Sequence, residues 1–512
     1  MYSIQKSRRW EGSAAPSDIW PNGIMLNKKP LLSSRKWVTA LVWLFLGATA
    51  FAGDFEDGMR FVLSKDYARA VQSFRKAAED GNADAQYNLG VMYSKGRGVE
   101  QDYARAAHWY RKAAEQEDVP AQSMLGFMYL KGQGVPQDYQ QALFWYLRAA
   151  GHGYAVAQHN LGVMYAKGQG VQQDYQQAVS WYIKAAEQGH APAQAILGFM
   201  YLKGQGVQED DQQAALWYLK AAEQGYADAQ YALGVLYAKG RGISQNDSEA
   251  VSWYRKAAEQ GNVDAQFNLA LMYSGGTGIA QDHQQAAFWY RKAAEQEYAR
   301  AQFKLGVAYA KGRGIAEDDY EAAAWYRKGA EGGYAPAQFN LGVMYAVGKG
   351  VIQDDQKAVY WYRLAAEQGD PDAQYNLGVR YDNGRGIVKD EQEALNWYRK
   401  AAEQGYARAQ YSLGVKYDNG EGVPQDYAQA LSWYQKAAEQ GHPGAQTNLG
   451  VLYYKGDGVK QDYVEADKWF SIASAGGYED AQENRELMEK LMTPVQVAEA
   501  HRQADEWVKT KK

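Results

Sequence analysis

The sequence contains no cysteine. That absence removes disulfides, thiolate zinc sites, cysteine nucleophiles and a lipoprotein anchor together. Basic blocks are also missing: 55 Lys+Arg are dispersed among 60 Asp+Glu, for a formal net charge of −5. A protein that lives on nucleic-acid phosphates carries a basic patch, so no nucleic-acid partner is expected. Long apolar runs are scarce. The single example, Trp37 to Ala52, follows Arg35 and Lys36 and ends in Ala50-Phe51-Ala52. A basic flank, a short apolar stretch and a small-x-small site read as a secretory signal peptide. The run falls short of the ~20 residues that span a bilayer. Met25 opens a segment of ordinary signal length and is a candidate true start, and the mature chain is expected to begin at Gly53. An uncleaved signal anchor is the alternative, with a membrane tether in place of periplasmic or extracellular release. Without residues 1–52 the balance is 48 Lys+Arg against 58 Asp+Glu, a charge of −10. A chain this acidic is not steered to anionic lipid or nucleic acid.

What is plentiful is glycine (53), tryptophan (16) and tyrosine (41), and all three are placed periodically. The pair Ala-Gln ends at Gln86, Gln122, Gln158, Gln194 and onward to Gln482, always at intervals of 36 residues. Eleven complete copies run from residue 83 to 478, after a degenerate capping copy at 53–82 and before capping helices at 479–512. One array is expected rather than three separate domains. Within a copy the spacing is helical: Ala85, Leu89 and Tyr93 form one stripe, and Ala106, Tyr110, Ala113 and Ala114 another. Gly90 lies beside the first stripe and recurs everywhere except Ala270, which points to close approach of a second helix. Asp102 marks the start of the second helix, and most copies carry Gln or Glu three residues on, the spacing of a capping box. Between the helices stands G-x-G-[VI], as in Gly96-Arg97-Gly98-Val99, where two glycines admit backbone angles closed to other residues. Most copies close the second helix with glycine, as at Gly189 and Gly225; Glu117 and Glu297 depart from this.

Eleven tryptophans share one register, from Trp109 to Trp469, each followed by Tyr or Phe and preceded by an alanine such as Ala106. Large and small residues at fixed positions are what interlocking helix pairs need. A lone hairpin cannot bury a Trp, a Tyr and a Leu, so each copy must stack on the next. An aromatic platform for sugars or bases is the competing reading of the same register.

These residues resemble the Sel-one-like repeat family, a branch of the α/α solenoids similar to tetratricopeptide repeats. Leu89-Gly90-x-x-Tyr93 and Ala106-x-x-x-Tyr110 carry the likeness, and the 36-residue period with its longer G-x-G-V loop separates it from the 34-residue type. The resemblance implies an all-α fold, a right-handed superhelix of helix-turn-helix repeats. It also implies a scaffold for protein or peptide partners, exported members acting in envelope function, secretion or host contact. Thr493-Pro494 looks like the N-cap and first residue of the family's closing polar helix, which would run to about Lys509.

Enzyme constellations are not found. The seven histidines form no H-E-x-x-H or other ligand pair. Their registers are read as unrelated, and solvated surface positions are expected. One S-x-x-K occurs, Ser73 to Lys76, and a cysteine-rich branch of the family is linked to penicillin binding. Lys76, however, is the ordinary repeat lysine, and Ser73 has no S-D-N or K-T-G partners. A cell-envelope enzyme or cell-wall ligand binder is therefore the alternative, and a non-catalytic scaffold the main expectation. Asp382-Asn383 and Asp418-Asn419 resemble weak cation sites but miss the calcium-loop pattern. No cofactor, no metal and no oligomer are expected. The candidate partner-binding residues lie on the first helix of each copy. Asparagine precedes L-G at Asn88, Asn160, Asn268, Asn340, Asn376 and Asn448. Further along come Lys95, Lys131, Lys167, Lys203, Lys239 and Lys311. In related solenoids the first helices line the concave wall, where an Asn ladder would meet a peptide backbone and the lysines its carboxylates. The competing reading has Asn bonding inside the array and Lys facing solvent.

Overall fold

The computed structural model describes residues 53–511. The signal-peptide region and the candidate start at Met25 lie outside the described residues. Among the described residues there are helices and no strands, alternating in pairs through the whole span. In the first full copy, helix A is Ala83–Lys95 and helix B is Tyr103–Glu115. Later copies repeat the pattern at 36-residue steps, as in Ala191–Lys203 with Asp211–Glu223. The chain is an α/α solenoid of helical hairpins. It divides into two compact units, one ending at His152 and one starting at Gly153.

Local chemistry sets each boundary. Asn82 caps helix A, its Oδ1 accepting from the Ala85 amide at 2.7 Å. At the other end Gly96 takes the left-handed conformation (φ 65°), and the Arg97 amide bonds the Met92 carbonyl. Helix B opens on Asp102, whose carboxylate accepts from the Arg105 amide at 2.9 Å. The capping box expected there is only half made. The amide of Asp102 itself donates to the Tyr93 carbonyl of helix A at 3.0 Å, and Asp138 and Asp174 do the same to Tyr129 and Tyr165. With that donor already satisfied, the Gln or Glu three residues on has no backbone amide to close on.

The second loop glycine has a different task. A β-carbon on Gly98 would lie 2.2 Å from the Tyr67 carbonyl oxygen, at the start of the preceding copy's helix B. Gly242 stands against Asp211 in the same way, at 2.0 Å. The loop thus presses its backbone onto the preceding hairpin. Val99 and Val135 turn inward against the core of the first unit; Ile315, Val351 and Ile387 do so in the second.

Inside each hairpin the helix A glycine faces the helix B tyrosine. A β-carbon at Gly90 would meet the Tyr110 ring at 2.8 Å, and Gly414 would meet Tyr434 at 2.5 Å. Tyr110, Tyr146, Tyr182 and Tyr434 are fully buried as a result. The tryptophans are buried or half-buried: Trp145, Trp217, Trp253, Trp325, Trp397 and Trp469 are buried, and Trp109, Trp181, Trp289, Trp361 and Trp433 are intermediate. The repeat lysine lies over the outer ring face, 3.7 Å from the centroid for Lys256 on Trp253 and 3.8 Å for Lys400 on Trp397. A cation above the ring and packed helices below leave little aromatic face for a ligand. The final helix runs Pro494–Lys511, with the Thr493 hydroxyl accepting from the Gln496 amide at 3.4 Å.

Candidate functional site

The Ala-Gln glutamine is an internal clamp. Gln194 is buried, its Nε2 donating to the Ala186 carbonyl at 2.9 Å while its Oε1 accepts from Gln224 at 2.7 Å. The arrangement repeats at Gln230, Gln374 and Gln410, each joining the end of one helix B to the next. In the first unit the chain of bonds is broken once. His152 stands where most copies have glutamine and turns to Glu117, so Gln122 Oε1 is left buried without a partner. A second link runs from the helix B arginine to the next helix A tyrosine hydroxyl, as in Arg111 to Tyr129 (2.8 Å) and Arg327 to Tyr345 (3.0 Å).

Helix A therefore turns most of its polar groups inward, and the asparagines follow suit. Asn88, Asn340 and Asn376 donate to the carbonyl four residues back in their own helix, at 2.7, 2.8 and 2.8 Å. Asn448 donates to the Tyr434 hydroxyl at 3.0 Å. Asn268 bonds the hydroxyls of Tyr231 and Tyr254, and Asn160 is buried. Lys95, Lys131, Lys167, Lys203, Lys239 and Lys311 are all exposed. The first five end their helices, where a cation also favours the helix dipole. The structure separates the two rows: an asparagine register that is half-buried except at the buried Asn160, and an exposed lysine one.

Two expectations about the histidines are corrected. His159 and His190 are not solvated. Their rings lie 4.9 Å apart, and His159 is also 5.6 Å from Tyr182. Burial, with His190 adding repulsion, pushes His159 down to about 3, and burial alone pushes His190 down to about 4. Nor are the registers all unrelated: His190 and His442 both cap helix A, accepting from the Ala193 and Ala445 amides at 3.3 and 3.2 Å. The Asp-Asn pairs are internally committed. Asp382 holds Lys416 at 2.6 Å, and Asp418 accepts from the Tyr434 hydroxyl at 3.0 Å. The Ser73 to Lys76 pair does not assemble as nucleophile and base, since Lys76 reaches toward Asp54 at 3.8 Å.

Two features have no motif to announce them. Arg380 and Lys416 occupy the helix A register where most copies carry buried methionine. Both are buried, held by Asp355 and by Asp382 with Glu421 respectively. Asp467 occupies a helix B register where the other full copies place alanine, valine or leucine, and it is fully buried. Reading the columns across copies, not along the chain, reveals both. No helix among the described residues is long and apolar enough to cross a membrane.

Comparison with known proteins agrees with this anatomy. Sel1 repeats match in an unbroken series at residues 52–82, 83–118, 119–154, 155–190, 191–226, 227–262, 263–298, 299–334, 335–370, 371–406, 407–442 and 443–478. A protective antigen of uropathogenic Escherichia coli with an SLR fold is 41% identical over 86% of this chain and 94% of its own, with a TM-score of 0.80. A Sel1 repeat protein of Oxalobacter formigenes is 33% identical over 65% of this chain and 93% of its own, with a TM-score of 0.50. Among curated proteins, none matches. The repeated hairpins, their clamping glutamines and the near full-length likeness place this chain in the Sel1 repeat family.

Proposed function

We propose that the chain is an exported, non-catalytic scaffold that binds a protein or peptide partner along the exposed lysine row of helix A. The observation that carries this reading is the register itself. One outward lysine closes helix A in successive copies, at Lys167, Lys203 and Lys239, each two residues after a half-buried tyrosine (Tyr165, Tyr201 and Tyr237). Cations at a regular step suit the carboxylates of an extended acidic segment. Asn88, Asn340 and Asn376 spend their amides on their own helix, and the lysines make the contact. Export is supported by the Trp37 to Ala52 run and is compatible with the likeness to a protective antigen.

The test is a crosslinking capture from the native envelope fraction. The wild type is compared with Lys203→Glu/Lys239→Glu/Lys311→Glu. The expected result is at least a tenfold loss of the captured partner in the charge-reversed chain, with unchanged helicity. Equal capture by both chains would overturn the assigned surface. Recovery of the native protein only in the cytoplasmic fraction would overturn export.

A further inference from the structure

Three helices meet at the C-terminal end: Tyr463–Ala475, Glu479–Leu491 and Pro494–Lys511. The first places Asp467 at a register that is apolar in the other full copies, such as Ala107, Val179, Val251, Val359 and Leu395. Asp467 is 0% exposed, and neither carboxylate oxygen has a hydrogen-bond partner. An isolated buried carboxylate is costly enough that it is normally paired, neutralised or bound to a metal. The groups aimed at it are His501 from the last helix and Glu489 from the middle one. His501 Nε2 lies 3.6 Å from Asp467 Oδ2 and 3.4 Å from Glu489 Oε1, and it too lacks a hydrogen-bond partner. Arg485 approaches Glu489 at 3.2 Å. Burial raises Asp467 to about 6; His501 opposes that, Glu489 adds to it, and Arg485 opposes it.

We propose that Asp467, Glu489 and His501 form a binding site for one divalent transition-metal ion of the zinc type, which ties the three terminal helices together. The three donor atoms already lie within 4.8 Å of one another. Ligands bound tetrahedrally at ~2.0–2.1 Å are about 3.4 Å apart. The two separations at His501 have that length, too long for good hydrogen bonds and suited to an ion between them. The donor set also selects the ion. Imidazole with two carboxylates suits zinc, iron or manganese better than calcium, which takes six to eight oxygens. Two carboxylates and a neutral imidazole leave charge for a dication, even with Arg485 beside Glu489. The site is structural in character: it takes one donor from each of the three terminal helices.

The full chain, stripped with chelator, is titrated with zinc chloride by calorimetry and with cobalt(II) by visible absorption. The expected result is one ion per chain, a tetrahedral-type cobalt spectrum and a thermal midpoint that rises with zinc. Asp467→Asn and His501→Gln are each expected to weaken binding at least tenfold. Asp467→Asn removes a buried charge and so keeps the fold, which tryptophan fluorescence verifies. His152→Asn, beside the exposed Glu117 and far along the chain, is expected to bind like wild type. Absence of saturable binding in the wild type would overturn the proposal, leaving an ion-pair network around Asp467. So would binding that persists in Asp467→Asn and His501→Gln, or that is lost in His152→Asn.

Discussion

At the residue scale, departures from the repeat pattern show what each position requires. Glu117 and Glu297 replace the glycine after helix B and hold φ at 66° and 63°. That conformation costs a residue with a β-carbon roughly 1–2 kcal/mol. Glu117 gains an ion pair with Arg148 and a contact with His152 in return. Glu297→Gly is expected to stabilise the protein by about 0.5–1 kcal/mol after the extra chain entropy of glycine is counted, read as a higher urea midpoint. Glu117→Gly should gain less. His159 is the second case. Its folded value of about 3 lies below the ordinary ~6.5, so the unfolded chain takes up the proton first as pH falls. Stability from His159 is complete above about pH 6.5 and declines below it, by roughly 2 kcal/mol at pH 5. Asp467, raised to about 6, acts in the opposite direction over the same window. The measurement is therefore the difference between wild type and His159→Phe, the aromatic that Phe303 and Phe339 supply at the same register. Urea midpoints at pH 7 and pH 5 should show a smaller acid loss in the variant.

At the element scale, the hairpin depends on a backbone contact more than on helix propensity. The two kinds of left-handed glycine separate these causes. Gly225, after helix B, has φ 84° and open space where a β-carbon would stand, while Gly242, in the loop, has φ 69° and the Asp211 carbonyl in the way. Gly225→Ala should cost about 1 kcal/mol from its backbone angle alone. Gly242→Ala should cost about 3 kcal/mol or more, because a rigid carbonyl must also move. Equal costs in urea unfolding would show that the loop does not press on the preceding hairpin. A separate backbone bond explains the half-made capping box, since the amide of the capping Asp102 is already committed to the Tyr93 carbonyl of helix A.

At the scale of the whole molecule, stability is a sum over neighbours, because each hairpin covers the aromatic residues of another. The end is therefore the vulnerable place. Phe470 is covered by Met488, Met492 and Ala500, and Trp469 and Ile472 pack with Ala504 and Trp507. Deleting residues 479–512 should uncover these side chains. The truncated chain is expected to associate, seen as a larger mass in light scattering, whereas the intact chain keeps its mass under the same conditions. The amphipathic closing helices act as a lid that ends the array without offering a further sticky face.

Period, helix pairs, loop glycines and the close approach of a second helix at Gly90 were legible in the sequence, because a repeated hydrophobic column can satisfy itself in only one way when copies stack. The exposure of the helix A lysines was legible too, since it follows from their place at the end of the helix. The asparagine row was not. Whether an amide at that position faces a ligand or its own helix depends on a carbonyl four residues back and a tyrosine from the next element, and no spacing rule distinguishes them. Nor could a list of seven histidines show that His159 meets His190, or that Asp467 meets Glu489 and His501, which lie 22 and 34 positions further along the chain. Periodic burial is a property of one sequence read against itself. The meeting of polar groups from different helices depends on distances of a few tenths of an ångström, and only tertiary packing sets those.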